Sequence, residues 1–210
     1  MDLVGLDTYA MVIKELAGTL TDSPWKAFFY VPDWIEKLIE NGAIGTKTKK
    51  GIYEKRGTDI WVFDVEKGEY RKAKRKQVDE DVKKALKQAD QFTSLAKLDN
   101  PQAKFLCCLY SDLFHYCAYY LSDIAKSAKE IDLAMRWGYG WERGPFEIWQ
   151  DFGWQTIANH LKSEAKAGHL LSSGTKIPEW ALDPHRTGVH DDEGSWSAPS
   201  GQKKKKKKKK

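Results

Sequence analysis

The 210-residue chain has no run of roughly 18 uncharged apolar residues, so a membrane span is not expected. Its start, Met1-Asp2-Leu3-Val4, lacks the charged and apolar regions of a secretory signal, and the expectation is a soluble cytoplasmic protein. Cysteine is scarce: Cys107, Cys108 and Cys117 lie close together in one apolar segment, with no partner cluster elsewhere. They read as reduced core residues, and neither a disulfide nor a metal site is expected. No complete catalytic constellation is present: there is no GxGxxG or GxxxxGK[ST] phosphate loop, no HExxH and no GxSxG turn. The five histidines, His115, His160, His169, His185 and His190, stand in unrelated contexts without a recognisable carboxylate partner. His115, inside an apolar stretch, reads as a core or interface residue, and Cys117 beside it as an unreactive thiol.

Charge is present but misleading. The chain has 35 Lys or Arg against 30 Asp or Glu, yet Lys203 to Lys210 are all lysine, and without those eight the net charge of +5 becomes −3. The basic balance belongs to a poly-Lys tail, so specific nucleic-acid binding is not indicated. A tail of this uniformity after Ser200-Gly201-Gln202 looks like an appendage. With 41% apolar residues, the remainder can bury a sizeable core.

Apolar positions Leu6, Tyr9, Val12, Ile13, Leu16 and Leu20 recur at helical spacing and predict a helix over about residues 7–18, with Asp7 in its first turn. Asp33 to Glu40 reads as a short amphipathic helix stopped by Asn41-Gly42. Between Gly51 and Tyr70 the period changes to β-type in Ile52-Tyr53, Ile60 to Phe63 and Glu69-Tyr70, with a turn at Glu66-Lys67-Gly68. Helical patterns resume at Val78. Asn100-Pro101 opens a long segment, and Phe105 to Ala128 is apolar on most of its circumference, which predicts nearly complete burial. Trp154 to Ala165 gives a last amphipathic helix ended near Gly168. Beyond Pro178, Pro, Gly, Ser and Asp dominate, and the expectation is an extended tail or linker.

The segment from Gly5-Leu-Asp-Thr8 into its helix parallels Gly153-Trp-Gln-Thr156 into its own, at an offset of 148 residues. A duplication would place Ile13 and Leu161 in equivalent core positions and would make the first copy a truncated one, suggesting a piece of a longer protein. The expected divisions are a truncated first helical repeat (1–45), a basic loop and β-hairpin connector (46–77), a second helical repeat (78–177), the extended segment (178–202) and the poly-Lys tail (203–210).

The most distinctive stretch runs from Ile131-Asp132-Leu-Ala-Met135 through Gly138, Gly140 and Gly144-Pro145-Phe146 to Gln150. Its glycines and proline describe a structural turn between helices, packed by Trp137, Trp141 and Trp149. The stretch also resembles the signature of the C-terminal helical domain of 3-hydroxyacyl-CoA dehydrogenases. Asp2-Leu-Val-Gly-Leu-Asp-Thr8 looks like the end of that signature in a first copy. Gly45-Thr-Lys-Thr-Lys-Lys-Gly-Ile-Tyr53 is similar to the family's Gly-x-Lys-Thr-x-Lys-Gly-Phe-Tyr loop. Gln150 stands where the second signature usually carries Asp.

The resemblance implies a mainly α fold of two tandem helical repeats, like the C-terminal domain of 6-phosphogluconate dehydrogenase-like proteins, with a small β-hairpin insertion. The implied activity is NAD-dependent oxidation of a (3S)-3-hydroxyacyl-CoA in fatty-acid β-oxidation. NAD would be bound by an N-terminal dinucleotide-binding domain absent from this chain, which would then be inactive alone and hold no catalytic residue. Its role would be to close the acyl-CoA site and provide association surface. The implied partners are that N-terminal domain, further copies in a homo-oligomer and, as in some relatives, an enoyl-CoA hydratase domain. Lys47, Lys49 and Lys50 are the candidate contacts for the phosphates of the coenzyme A thioester. Residues 47–76 hold eleven basic and five acidic side chains, which suits an anionic substrate's approach and equally an ordinary charged surface. The competing reading is a non-catalytic helical interaction module.

Overall fold

Helix α1 (Leu6–Thr19) leaves Gly5 at φ 109°, a conformation that glycine adopts freely and other residues resist. The computed structural model describes residues 1–74, 77–172, 174–198 and 200–205, and the chain divides into two units, Met1–Gln77 and Val78–Lys210. In the first unit, Leu6 and Ala10 of α1 share a core with Val31, Ala43, and Ile35 and Leu38 of α2 (Asp33–Glu40). The β-type runs form a three-stranded antiparallel sheet of β1 (Tyr53–Arg56), β2 (Asp59–Asp64) and β3 (Glu69–Lys72). Its register pairs Phe63 with Tyr70, and Phe63 lies 6.2 Å from the Trp34 ring of α2, so one face of the sheet closes the core.

The second unit contains α3 (Glu80–Ala85), α4 (Gln91–Ala96), α5 (Pro101–Ile124), α6 (Ala128–Tyr139), α7 (Pro145–Asp151), α8 (Trp154–Ala167), α9 (Glu179–Leu182), and strands β4 (Gly194–Ser197) and β5 (Gln202–Lys205). The protein is therefore mainly helical with a small hairpin, as expected. Asn100 caps α5 by accepting from the backbone N–H of Gln102 and Ala103, with Pro101 at the first position where no N–H is needed. Helix α5 departs from expectation in its burial. Phe114, Cys117, Ala118 and Leu121 are buried, whereas Phe105, Leu109 and Ile124 are exposed. Apolar composition around a helix does not say which sides find a neighbour, and here α4, α6, α7 and α8 all pack on α5 while part of its circumference stays open. Burial pushes the Cys107 thiol up to about 11 and that of Cys117 up to about 12, so both stay protonated and inert. Among the described residues no helix is long and apolar enough to cross a membrane.

Duplication reaches further than the sequence offset suggests. Helices α1 and α8 both have 14 residues and both leave a glycine of positive φ, 109° at Gly5 and 88° at Gly153. Leu6 and Trp154 are buried at equivalent positions, as are Ala10 and Ala158. Leu161 is fully buried, and Ile13 packs against its core from a partly buried position. Pro32 and Pro178 then precede α2 and α9 with nearly the same backbone, φ −60° and ψ 141° against φ −56° and ψ 137°. Trp34 lies 6.2 Å from Phe63, and Trp180 lies 6.3 Å from Trp196. The Phe63 N–H donates to Ile52 O at 2.8 Å, and the Trp196 N–H donates to Val189 O at 2.8 Å.

Residues 178–202, expected as an extended tail or linker, thus repeat the α2-to-sheet portion of the first unit. Ala181 and Val189 are fully buried, and these two side chains, with Ile177 before them, anchor a segment whose composition alone lacks periodicity. The backbone of Lys203–Lys205 pairs with β4, while residues 206–210 of the poly-Lys tail, like Arg75 and Lys76 of the connector, lie outside the described residues.

One side chain locks each repeat. Asp2 accepts from the backbone N–H groups of Ile52 at 2.9 Å and Tyr53 at 2.7 Å. Gln150, at the equivalent position, accepts on Oε1 from Val189 at 2.9 Å and His190 at 3.0 Å, and its Nε2 donates to His190 O at 3.0 Å. Glycine precedes both pairs of N–H groups because a Cβ at Gly51 would lie 2.6 Å from Asp2 Oδ1, and one at Gly188 would lie 2.1 Å from Gln150 Oε1. Gln150→Ala leaves three backbone groups without this partner, and urea denaturation should show a loss of about 2–3 kcal/mol. A loss under about 0.5 kcal/mol would mean that the loop is held by other contacts.

Candidate functional site

The signature turn is built around Asp132, which is 1% exposed on α6. Its Oδ1 accepts from the Phe146 N–H at 2.8 Å, and its Oδ2 lies 2.6 Å from His190 Nε2. Glu147 accepts from the Gly144 N–H at 2.8 Å and pairs with Arg136 at 3.2 Å, fastening the first turn of α7 to the end of α6. Gly140 ends α6 at φ 68°, as a left-handed cap. Gly138 was expected in the turn but lies inside α6. Of the three tryptophans expected to pack the corner, only Trp149 is buried. Trp137 is 80% exposed and Trp141 lies at a groove's edge.

His190 also corrects the expectation that no histidine meets a carboxylate, as does His169, whose Nδ1 lies 3.1 Å from Glu164. Gln150, which stands where the second signature usually carries Asp, is the lock of the second repeat. The Asp132–His190 partners are 58 positions apart, beyond any local pattern, and only the folded-back segment joins them.

Burial pushes the Asp132 carboxyl above its usual range, and the His190 hydrogen bond opposes this without cancelling it. A carboxyl with a raised folded pKa binds its proton more readily in the native state. Its contribution to stability is therefore greatest below the unfolded value of 3.8 and declines as pH rises through the folded value. Asp132→Asn keeps an acceptor for Phe146 and removes the titration. The stability of the wild type relative to this variant should fall as pH is raised from about 3.8, then level off. A relative stability that climbs across that window in parallel denaturation series would contradict the assignment.

A second histidine contact resembles a nucleophile pair but is not one. Ser111 Oγ donates to Cys107 O at 2.7 Å, so the hydroxyl proton is committed and His160 Nε2, 3.1 Å away, acts as its donor. Among the described residues no group of three or more His, Cys, Asp or Glu side chains is placed to hold a metal ion.

The three candidate lysines do not converge. Lys47 pairs with Asp7 at 3.1 Å, and Lys50 lies 4.9 Å from the centre of the Tyr70 ring. Lys49 takes φ 60°, a left-handed conformation unusual for a residue with a side chain, and lines an open cleft of about 520 Å³ with Tyr53, Lys55 and Ile60. In the second unit a groove of about 660 Å³ is lined by Leu109, Tyr110, Leu113, Met135 and Phe152, with the Arg143–Asp151 ion pair among its lining residues.

The described residues do not fit NAD. A dinucleotide site needs a parallel βαβ unit whose glycine turn delivers the pyrophosphate to free N–H groups at a helix start. Both sheets here are antiparallel. The glycine turn before α7 already gives its N–H groups to Asp132 and Glu147, whose charge would repel a phosphate.

No family model matches the chain, and no solved structure matches it. Among curated proteins it is 34% identical over 183 residues, 86% of its length, to a Bacillus subtilis (strain 168) protein named "Probable 3-hydroxyacyl-CoA dehydrogenase", of which it spans 22%. It is 26% identical over 152 residues, 70% of its length, to a Rickettsia felis protein that carries the name of a fatty acid oxidation complex trifunctional enzyme, of which it spans 20%. A Rickettsia prowazekii protein of the same name is 25% identical over 151 residues, with the same coverage of both chains. The chain thus corresponds to about a fifth of the length of each relative.

Proposed function

Starting from this kinship with 3-hydroxyacyl-CoA dehydrogenases, we propose that the chain is the C-terminal helical part of such an enzyme, acting in the cytoplasm in fatty-acid β-oxidation. In the reaction C3 of a (3S)-3-hydroxyacyl-CoA gives a hydride to NAD while a base takes the hydroxyl proton, producing the 3-oxoacyl-CoA and NADH. In this reading the hydride acceptor and the base belong to a dinucleotide-binding domain outside these 210 residues. The helical repeats close the acyl-CoA site and supply surface for that domain, for an enoyl-CoA hydratase domain and for homo-oligomer formation. The observation that carries the reading is the 34% identity along 86% of the chain.

Lys49, and less directly Lys47 and Lys50, would attract the coenzyme A phosphates. With the part of the Bacillus relative outside the matched 22% supplied in trans, Lys49→Ala should raise the KM for a 3-hydroxyacyl-CoA severalfold at low salt, leave kcat unchanged, and lose its effect at high ionic strength. An unchanged KM at low salt would remove Lys49 from the substrate's path.

A further inference from the structure

The second repeat shows what covers the outer face of its hairpin. Helix α6 packs on β4, where the Lys129 N–H donates to Ser195 Oγ at 3.1 Å, and Asp132 meets His190 across the same face. His190 and Ser195 form a β-bridge. Because Trp196 corresponds to Phe63 and His190 to Tyr53, the matching pair in the first repeat is Tyr53 opposite Val62. Side chains alternate along a strand, so Tyr53, Val62 and Ile60 lie on the face away from Phe63 and the core. There Tyr53 is 56% exposed and Ile60 46% exposed, beside the open cleft.

We propose that the face formed by Tyr53, Ile60 and Val62 is the seat of an acidic helix of the α6 type, supplied by polypeptide outside these 210 residues. The helix would place a carboxylate as α6 places Asp132, there accepting from the Tyr53 hydroxyl as Asp132 accepts from His190. Charge favours such an occupant: Lys55, on the same face as Tyr53, lines the cleft without an ion pair among the described residues, while the acidic lining residues are already engaged, Glu54 with Arg56 and Asp2 with the Ile52 and Tyr53 N–H groups. A second copy of this chain is a poorer occupant because its α6 is already committed to its own β4 through Lys129 and Asp132. Polypeptide to supply the helix exists in the Bacillus relative, of which this chain spans 22%. The inference rests on the duplication and is independent of the dehydrogenase reading.

The repeat sets the test, because Trp149 corresponds to Met1. A further copy of residues 125–148 joined directly to Met1 should deliver an α6-type helix to the seat. The expected result is a rise in Tm of about 4 °C or more and a slowing of Tyr53 nitration by about tenfold, read by mass spectrometry. Ile60→Lys should leave the Tm of the original chain unchanged and abolish the gain in the extended one. An unchanged Tm with Tyr53 nitrated at its original rate would overturn the proposal. So would a rise in Tm with Tyr53 still reactive, or a concentration-dependent dimer of the original chain that protects Tyr53.

Discussion

Trp149→Ala should lower the stability of the second unit by about 3–5 kcal/mol, much of the roughly 5–15 kcal/mol that holds a typical domain folded. Trp149 is fully buried, with its ring stacked on Trp154 at 4.2 Å and 6° and lying 5.3 Å from that of Phe114. Its Nε1–H donates to Trp154 O at 3.1 Å, so truncation removes a large aromatic surface and also leaves an acceptor without that donor. Trp137→Ala, at an exposed site of the same stretch, should cost well under 1 kcal/mol. Urea midpoints that fall equally for the two variants would refute this account of the corner.

Gly144→Ala should be nearly as damaging, for a purely spatial reason. Gly144 has φ −81°, open to any residue, yet a Cβ there would lie 2.2 Å from the Cα of Asp132. Backbone cannot swing aside as a flexible side chain does, so α7 must move off α6 and stretch the bonds from Asp132 to Phe146 and His190. We expect a loss of about 2–4 kcal/mol. Gly138→Ala is the control: apart from its own stretch of helix, nothing lies within 4 Å of the new Cβ, and inside a helix the change should stabilise by about 0.5–1 kcal/mol. Circular dichroism melts of the pair separate crowding from helix propensity, and similar shifts for both would refute the crowding argument.

Local pattern carried most of the secondary structure. Period 3.6 located α1, α2 and α8, and the switch to period 2 located the sheet of residues 53–72. The extent of the duplication was also written in the chain. Val31-Pro32-Asp33-Trp34 matches Ile177-Pro178-Glu179-Trp180 at an offset of 146, and Gly51-Ile52 matches Gly188-Val189 at an offset of 137. A search at one constant offset loses these matches because the connecting loops differ in length, as loops tolerate. The Asp132–His190 contact and the locks at Asp2 and Gln150 were not legible. Each joins residues about 40 or more positions apart, and what identifies it is a distance. The open side of α5 was illegible for a related reason: a sequence records which residues are apolar, not which of them find a neighbour.

If these helical repeats serve a dehydrogenase whose hydride chemistry is housed elsewhere, as proposed above, they should change NADH formation from a (3S)-3-hydroxyacyl-CoA without producing NADH themselves. Absorbance at 340 nm should stay at background for the 210-residue chain with NAD and substrate. It should rise when the part of the Bacillus relative outside the matched 22% is added, beyond what that part produces alone. Steady NADH production by the chain on its own would overturn this role, as would an added part whose activity the chain leaves unchanged.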